Sequence, residues 1–336
     1  MDSPLCGENM KTSHFASLCP FWLFLLCLCF PGSAIAQHYV ITDLGTLPGG
    51  TFSQATGLND FGQVVGTGDI TGAGGAFLWT KAKGMQSLGS LFCCSWANAI
   101  NDLGHVTGGS WVSDSHNGAY LWTPEGGMQE VFYVDVGQGG FAINNRDEIG
   151  GSYSAEPPLP FVWTKKSGAL SLKEFSSGGV VMGINDRGQA VGWYDNPALG
   201  NRAFLLSQSS GLQDLGAGQA NAVNYLGNVA GANGVNHAFF WNSGTGMQDM
   251  GTLPGDESSY AAAINLFDVV VGTSIGNDGS RAFLWSKGTG MIDLNTLIRA
   301  NSGWTLYDAT GINIFGQIVG NGMINGQYHA FLLTLK

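Results

Sequence analysis

Charge is scarce in this sequence. Only 11% of its 336 residues are charged, and 13 Lys and Arg against 24 Asp and Glu leave a formal net charge of −11. So few cations give nucleic acid or an anionic membrane nothing to hold, and neither is an expected partner. Cysteine is also rare: Cys6, Cys19, Cys27 and Cys29 fall in the first 36 residues, leaving Cys93 and Cys94. One adjacent pair cannot staple a chain of this size, so its core must hold it. Cys93 and Cys94 either form a strained disulfide or remain two thiols. Past residue 36 the only histidines are His38, His105, His116, His237 and His329, in no zinc spacing. A Gly-x-Ser-x-Gly elbow and a phosphate-binding glycine loop are absent, and Gly276–Ser280 lacks the dense oxygen pattern of a calcium loop. No metal and no cofactor are expected.

Long hydrophobic runs are missing too. Phe21–Phe30 is apolar over ten residues, too short to cross a bilayer, and is followed by Pro31-Gly32-Ser33 and Ala34-Ile35-Ala36. This is the pattern of a signal peptide over 1–36, cleaved before Gln37. The stretch ahead of it is long and carries Asp2 and Glu8, which makes Met10-Lys11 a candidate start. The expected product, residues 37–336, is one domain, monomeric, without a membrane span, and secreted or periplasmic.

What the sequence has in quantity is glycine, 53 residues of it, too many for a mainly helical chain. It also repeats itself. Leu58-Asn59, Ile100-Asn101, Ile143-Asn144, Ile184-Asn185, Val223-Asn224, Ile264-Asn265 and Ile312-Asn313 recur at intervals of 42, 43, 41, 39, 41 and 48 residues. Each unit reads as four short apolar runs between turn residues, which leaves no room for a helix. In Asn59-Asp60-Phe61-Gly62 the Asn side chain can bond a nearby amide while Gly62 takes positive φ. Asp147 and Asp268 stand at the glycine place in the third and sixth copies, and Asp tolerates that geometry. A structural asparagine ladder explains the repeat without a ligand.

The fourth run is Ala76-Phe77-Leu78-Trp79 in the first copy and Ala330-Phe331-Leu332-Leu333 in the last. Alternation puts the aromatic pair on one face and the Ala/Leu pair on the other, so both faces are apolar and the sheets should stack. His237-Ala238-Phe239, His329-Ala330-Phe331, Gly246-Met247-Gln248-Asp249-Met250-Gly251-Thr252-Leu253 and Gly57-Leu58-Asn59-Asp60-Phe61-Gly62-Gln63-Val64-Val65-Gly66 resemble the three motifs of the extracellular HAF repeat family. The resemblance covers 38–336 and implies an extracytoplasmic location and a repeat fold, with no established activity. Gly75, Gly118, Leu159, Arg202 and Arg281 replace the motif histidine elsewhere, which excludes a uniform histidine ligand.

Neither end of the array is polar, as an open stack would require, so a closed ring is expected: an all-β, seven-bladed β-propeller of four-stranded blades, about 42 residues each. Tyr39–Leu47 either opens the first blade or completes the last. Asp43, Asp214, Asp249 and Asp293 share one place in the unit, filled elsewhere by Ser87, Glu130 and Ser171, which suits a strand edge. Three consecutive copies carry aromatics after the Val-x-Gly turn: Trp111, Tyr153, and Trp193-Tyr194. With Asp114, Glu156 and Asp195 they are the candidate ligand site, since flat rings bury area while polar tips set orientation. The expected function is a non-enzymatic binding module for carbohydrate, a cell-surface component or another extracellular protein. The alternative is an extracellular hydrolase or lyase with carboxylates at the propeller mouth.

Overall fold

The computed structural model describes residues 39–336, apart from 71–72, 135–138, 154–156, 173–174 and 176. The expected signal peptide and Glu156 lie outside the described residues. The chain is all-β: the described residues form 27 strands and a 3-10 turn at Leu294–Leu297.

Strands β2 (Ser53–Leu58), β3 (Val64–Ile70), β4 (Ala73–Thr80) and β5 (Gly84–Gly89) form an antiparallel meander. The same unit recurs from β6 (Ser95–Ile100), through β7 (Val106–Trp111) and β8 (Asn117–Thr123), to β9 (Gly127–Val134). It recurs again from β10 (Gly139–Ile143) to β13 (Gly168–Ser171), with β11 at Ile149–Tyr153, and from β21 (Asp256–Ile264) to β24 (Gly290–Asp293). Between these lies one seven-stranded sheet from β14 (Gly179–Ile184) to β20 (Gly246–Gly251). Its middle strand, β17 (Gly211–Val223), serves twice. Residues 211–217 pair with β16 (Gly200–Ser207), and residues 218–223 pair with β18 (Val229–Asn233). Gly216 and Gly218, at φ 126° and 125°, let the strand bend between its two partners.

The last sheet runs β25 (Trp304–Ile312), β26 (Ile318–Ile324), β27 (Gln327–Leu335), then β1 (Tyr39–Asp43). The first strand pairs with the final one, Tyr39 opposite Leu335 and Asp43 opposite Phe331. Of the two placements the sequence left open, Tyr39–Asp43 therefore completes the last sheet. The first strand of each unit neighbours the first strand of the next, from β2 to β6 and onward to β25, and β25 in turn neighbours β2.

Packing follows the alternation of the fourth run. Phe77 and Trp79 of one sheet sit against Ala330 and Leu332 of the sheet before it, and Phe161 and Trp163 against Ala119 and Leu121. Phe77, Phe161, Phe204, Phe239, Phe283 and Phe331 are fully buried. Each such ring removes on the order of 150–250 Å² from contact with water, which makes these interfaces the main source of stability.

The motif histidine belongs to a second regularity. His237 bonds Asp249 at 3.0 Å, His329 bonds Asp43 at 3.0 Å, Arg202 bonds Asp214 at 3.0 Å and Arg281 reaches Asp293 at 3.4 Å. A basic side chain on the third strand thus meets an acid on the fourth. Where the third strand carries Gly75, Gly118 or Leu159, the paired place holds Ser87, Glu130 or Ser171. The same aspartates also accept the amides of Gly45, Gly216 and Gly251, so they organise the sheet edge.

Candidate functional site

The first hairpin of every unit ends in the repeated asparagine. Asn59 Oδ1 accepts from the amides of Phe61 and Gln63 at 3.1 and 3.0 Å, and Gly62 takes φ 72°. Asp147 and Asp268 adopt φ 58° and 59° at the same place. Asn59 Nδ2 donates to the carbonyl of Asn101 at 3.0 Å. The pattern continues through Asn144, Asn185, Asn224, Asn265 and Asn313 at 2.8–3.2 Å, and Asn313 donates to Asn59. All seven are buried, and their amides are committed to this circuit.

The residues after these asparagines form the mouth of a cavity of about 270 Å³. Asp102 Oδ1 accepts from the Asp60 amide at 2.9 Å, Asn145 Oδ1 from Asp102 at 2.7 Å, and Asp186 Oδ1 from Asn145 at 2.7 Å. Asn145 Nδ2 bridges Asp102 and Asp186 at 2.9 Å each. Burial raises the Asp60 pKa and the charges of Asp102 and Asp186 push the same way, against a hydrogen bond from the Ile314 amide. The other three units have Tyr225, Leu266 and Ile314 in that position. Sequence reading passed over Asp60, Asp102 and Asp186. The signal for them was an acid directly after the repeated asparagine in three of seven copies.

The opposite end of the first strands carries a different surface. A groove of about 380 Å³ lies between β17 and β21, lined by Gln219, Asn221, Asn236, Ser258 and Tyr260 among others. Tyr260 is 39% exposed. Asn221 Nδ2 is tied to the Ala261 carbonyl at 2.8 Å. By contrast, the side-chain polar atoms of Gln219, Asn236, Ser258 and Tyr260 have no hydrogen-bond partner among the described residues. Thr273, directly across from Tyr260 on the neighbouring strand, has a buried hydroxyl that is also unsatisfied.

The sequence-derived candidates lie at this same end, on the second strands of three consecutive units. The alternation of a strand separates them. Trp193, on β15 (Ala190–Asn196), is half-buried opposite Val180. Tyr194 points the other way: its ring lies 5.4 Å from Phe175 and its hydroxyl donates to Asp214 at 3.1 Å. Tyr153 packs against the core around Phe161. Trp111 is half-buried at the end of β7, and Asp114 and Asp195 are exposed. Sequence reading also missed Trp96, whose indole covers Gly109 so closely that a methyl group there would clash with the ring. Cys93 and Cys94 are both free, with sulfurs 3.2 Å apart.

Asp308 Oδ1 accepts from the Asn321 amide and side chain at 3.0 and 2.8 Å, and Tyr328 donates to Oδ2 at 3.3 Å. Burial raises its pKa to about 6, against those hydrogen bonds.

No family model matches the chain, and no curated protein matches it. Among solved structures, a streptogramin B lyase aligns over 90% of this chain and 100% of its own, with a TM-score of 0.58 at 10% identity. The β-propeller domain of the trilobed protease from Pyrococcus furiosus aligns over 89% of this chain and 94% of its own, with a TM-score of 0.53 at 10% identity. YCF48 bound to D1 peptide aligns over 90% and 97%, with a TM-score of 0.51 at 10% identity. The fold is a β-propeller. At such identity the likeness reaches no further than the fold. Among the described residues no helix of this propeller is long and apolar enough to cross a membrane, and no group of three His, Cys, Asp or Glu is placed to hold a metal ion.

Proposed function

We propose that the chain is an exported, seven-bladed propeller of the HAF repeat type that binds a hydroxyl-rich ligand, a glycan or cell-surface saccharide, in the groove beside Tyr260. The seven-station asparagine circuit supports the reading of seven blades, in which β17 serves as the outer strand of one blade and the inner strand of the next. Export rests on the signal pattern at 1–36.

The observation that carries the binding reading is the set of four polar tips without protein partners around one groove, next to a half-exposed tyrosine ring. Amides and hydroxyls that can both give and accept suit sugar hydroxyls, and the ring supplies a flat apolar face. Trp111 and Trp193, with Asp114 and Asp195, extend the same end as a second aromatic sector. A hydrolase or lyase reading draws on Asp308, whose raised pKa suits an acid, although both its oxygens are already engaged.

A glycan array followed by titration calorimetry tests the proposal. Binding that weakens in Tyr260→Ala supports it. No saccharide bound, or equal binding by the variant, removes it. Turnover of a polysaccharide library that disappears in Asp308→Asn would instead establish the enzymatic reading.

A further inference from the structure

The asparagine end presents a surface that the groove does not explain. The second residue after the ring asparagine is Phe61, Phe267 or Phe315 in three units, at 75%, 69% and 63% exposure, and Leu103 or Leu226 in two more, at 56% and 55%. Turn tips are normally polar, and nothing in the hairpin geometry calls for a phenyl ring there. The three phenylalanines alone show water on the order of 400 Å² of apolar surface, the size of the largest patch on a typical monomer. The asparagine circuit holds these hairpins of three consecutive units side by side, so the rings form an arc along one side of the mouth, with Arg146 and Arg187 at the equivalent tips of the third and fourth units. Inside that mouth stand Asp60, Asp102 and Asp186, none of them ion-paired among the described residues.

We propose that this end is a docking surface for a partner protein that presents a lysine or arginine flanked by apolar side chains, the cation entering the mouth and the flanks covering the arc of phenylalanines. The cavity, about 270 Å³, is below the roughly 300–1,000 Å³ of pockets that enclose drug-sized ligands and is of a size for one long side chain. A buried cation would offset three clustered carboxylates that hydrogen bonds from Asn145 and main-chain amides stabilise but no cation pairs among the described residues. A second copy of this chain would set acid against acid, and an anionic bilayer would be repelled. The surface is independent of the Tyr260 groove, which lies at the other end of the first strands.

The test uses the full chain and a panel of acetylated nonapeptides carrying one central lysine among leucine, phenylalanine and tyrosine, each with a norleucine counterpart. Fluorescence anisotropy should show binding by lysine peptides, weakened about tenfold or more by norleucine. Phe267→Ser with Phe315→Ser should weaken it by a similar factor at unchanged thermal stability, whereas Tyr260→Ala should have no effect. Asp186→Asn keeps the acceptor for the Asn145 amide while removing charge, and should weaken the lysine peptides alone. The proposal is overturned if no lysine peptide binds, if norleucine counterparts bind equally, or if neither the double variant nor Asp186→Asn changes affinity. It is equally overturned if the wild type alone, and not the double variant, floats with phosphatidylcholine vesicles or sediments as a dimer.

Discussion

The side chain of Asn313 donates to the main-chain carbonyl of Asn59, 254 residues earlier, at 3.1 Å. That bond and the pairing of β1 with β27 close the molecule at two radii, one at the inner turns and one at the outer edge. Local hairpins build each sheet, and contacts of this long-range kind, with the Asn321 side chain on Ala55 and Ala330 on Ser53 among them, join the ends of the chain.

Asn313 also accepts from the amides of Phe315 and Gln317 at 3.1 and 3.0 Å. Asn313→Ala leaves these donors and the Asn59 carbonyl without their partner in a buried turn, so a loss of about 2–3 kcal/mol is expected. Urea unfolding at constant m-value measures it. A loss below about 0.5 kcal/mol, the level of an ordinary surface change, would show that the circuit contributes little.

Gly109 is the counterpart of this polar closure in the packing. Because a methyl group there would clash with the Trp96 indole, Gly109→Ala should cost about 1–3 kcal/mol and shift tryptophan emission. Adding Trp96→Val should recover most of the loss. Equal destabilisation with and without Trp96 would mean the strain lies in the backbone instead.

Much of this fold could be read from spacing, because each unit makes most of its hydrogen bonds within about 42 residues. The Asn59 turn, the double-faced Phe77 strand and the shared place of Asp43, Asp214, Asp249 and Asp293 were all visible. The partners of those aspartates were also within reach. His237, His329, Arg202 and Arg281 occur where the aspartate occurs, and glycine or leucine where Ser87, Glu130 or Ser171 takes its place. The phase of closure was not legible, since Tyr39–Asp43 matches an outer strand whose partner lies at the other end of the chain. Nor was the groove, which needs Gln219 of one unit and Tyr260 of the next. Alternation did separate Trp193 from Tyr194, yet only neighbours such as Phe175 and Asp214 determine what each face meets.

Asp308 predicts a pH dependence. Burial lifts its pKa from the ordinary 3.8 to about 6 in the native state. Between those values the folded chain holds a proton that the unfolded chain has released, so this group makes stability fall as pH rises. The penalty is complete above about pH 6 and amounts to about 3 kcal/mol at most. In Asp308→Asn the amide oxygen can still accept from Asn321, and its nitrogen can meet the Tyr328 hydroxyl. The variant should be more stable than wild type at pH 7 by about 1–2 kcal/mol and should lose the slope. Thermal unfolding at pH 4, 5, 6 and 7 reads both effects; parallel profiles would contradict the assignment.

Cys93 is exposed, and its sulfur lies 3.2 Å from that of Cys94, well beyond the S–S bond length of about 2.05 Å. Iodoacetamide should therefore add one group at each of Cys93 and Cys94 in the native protein without reductant. Mass spectrometry showing none before reduction and two after would reveal a vicinal disulfide.

Tyr260 gives the sharpest test of the saccharide groove. Its ring is 39% exposed, and among the described residues its hydroxyl bonds to no other group. Truncation to alanine should leave unfolding within about 0.5 kcal/mol of wild type, as for a surface change. The same truncation removes the stacking face, so saccharide affinity should fall about tenfold, equivalent to about 1.4 kcal/mol. Gln219→Ala removes a donor and an acceptor but no stacking surface, and should cost a smaller factor. Trp193→Ala separates the two parts of this end. A loss there as large as in Tyr260→Ala would place the ligand across both aromatic sectors, whereas loss only in Trp193→Ala would move the site to the consecutive units that carry Trp111 and Trp193.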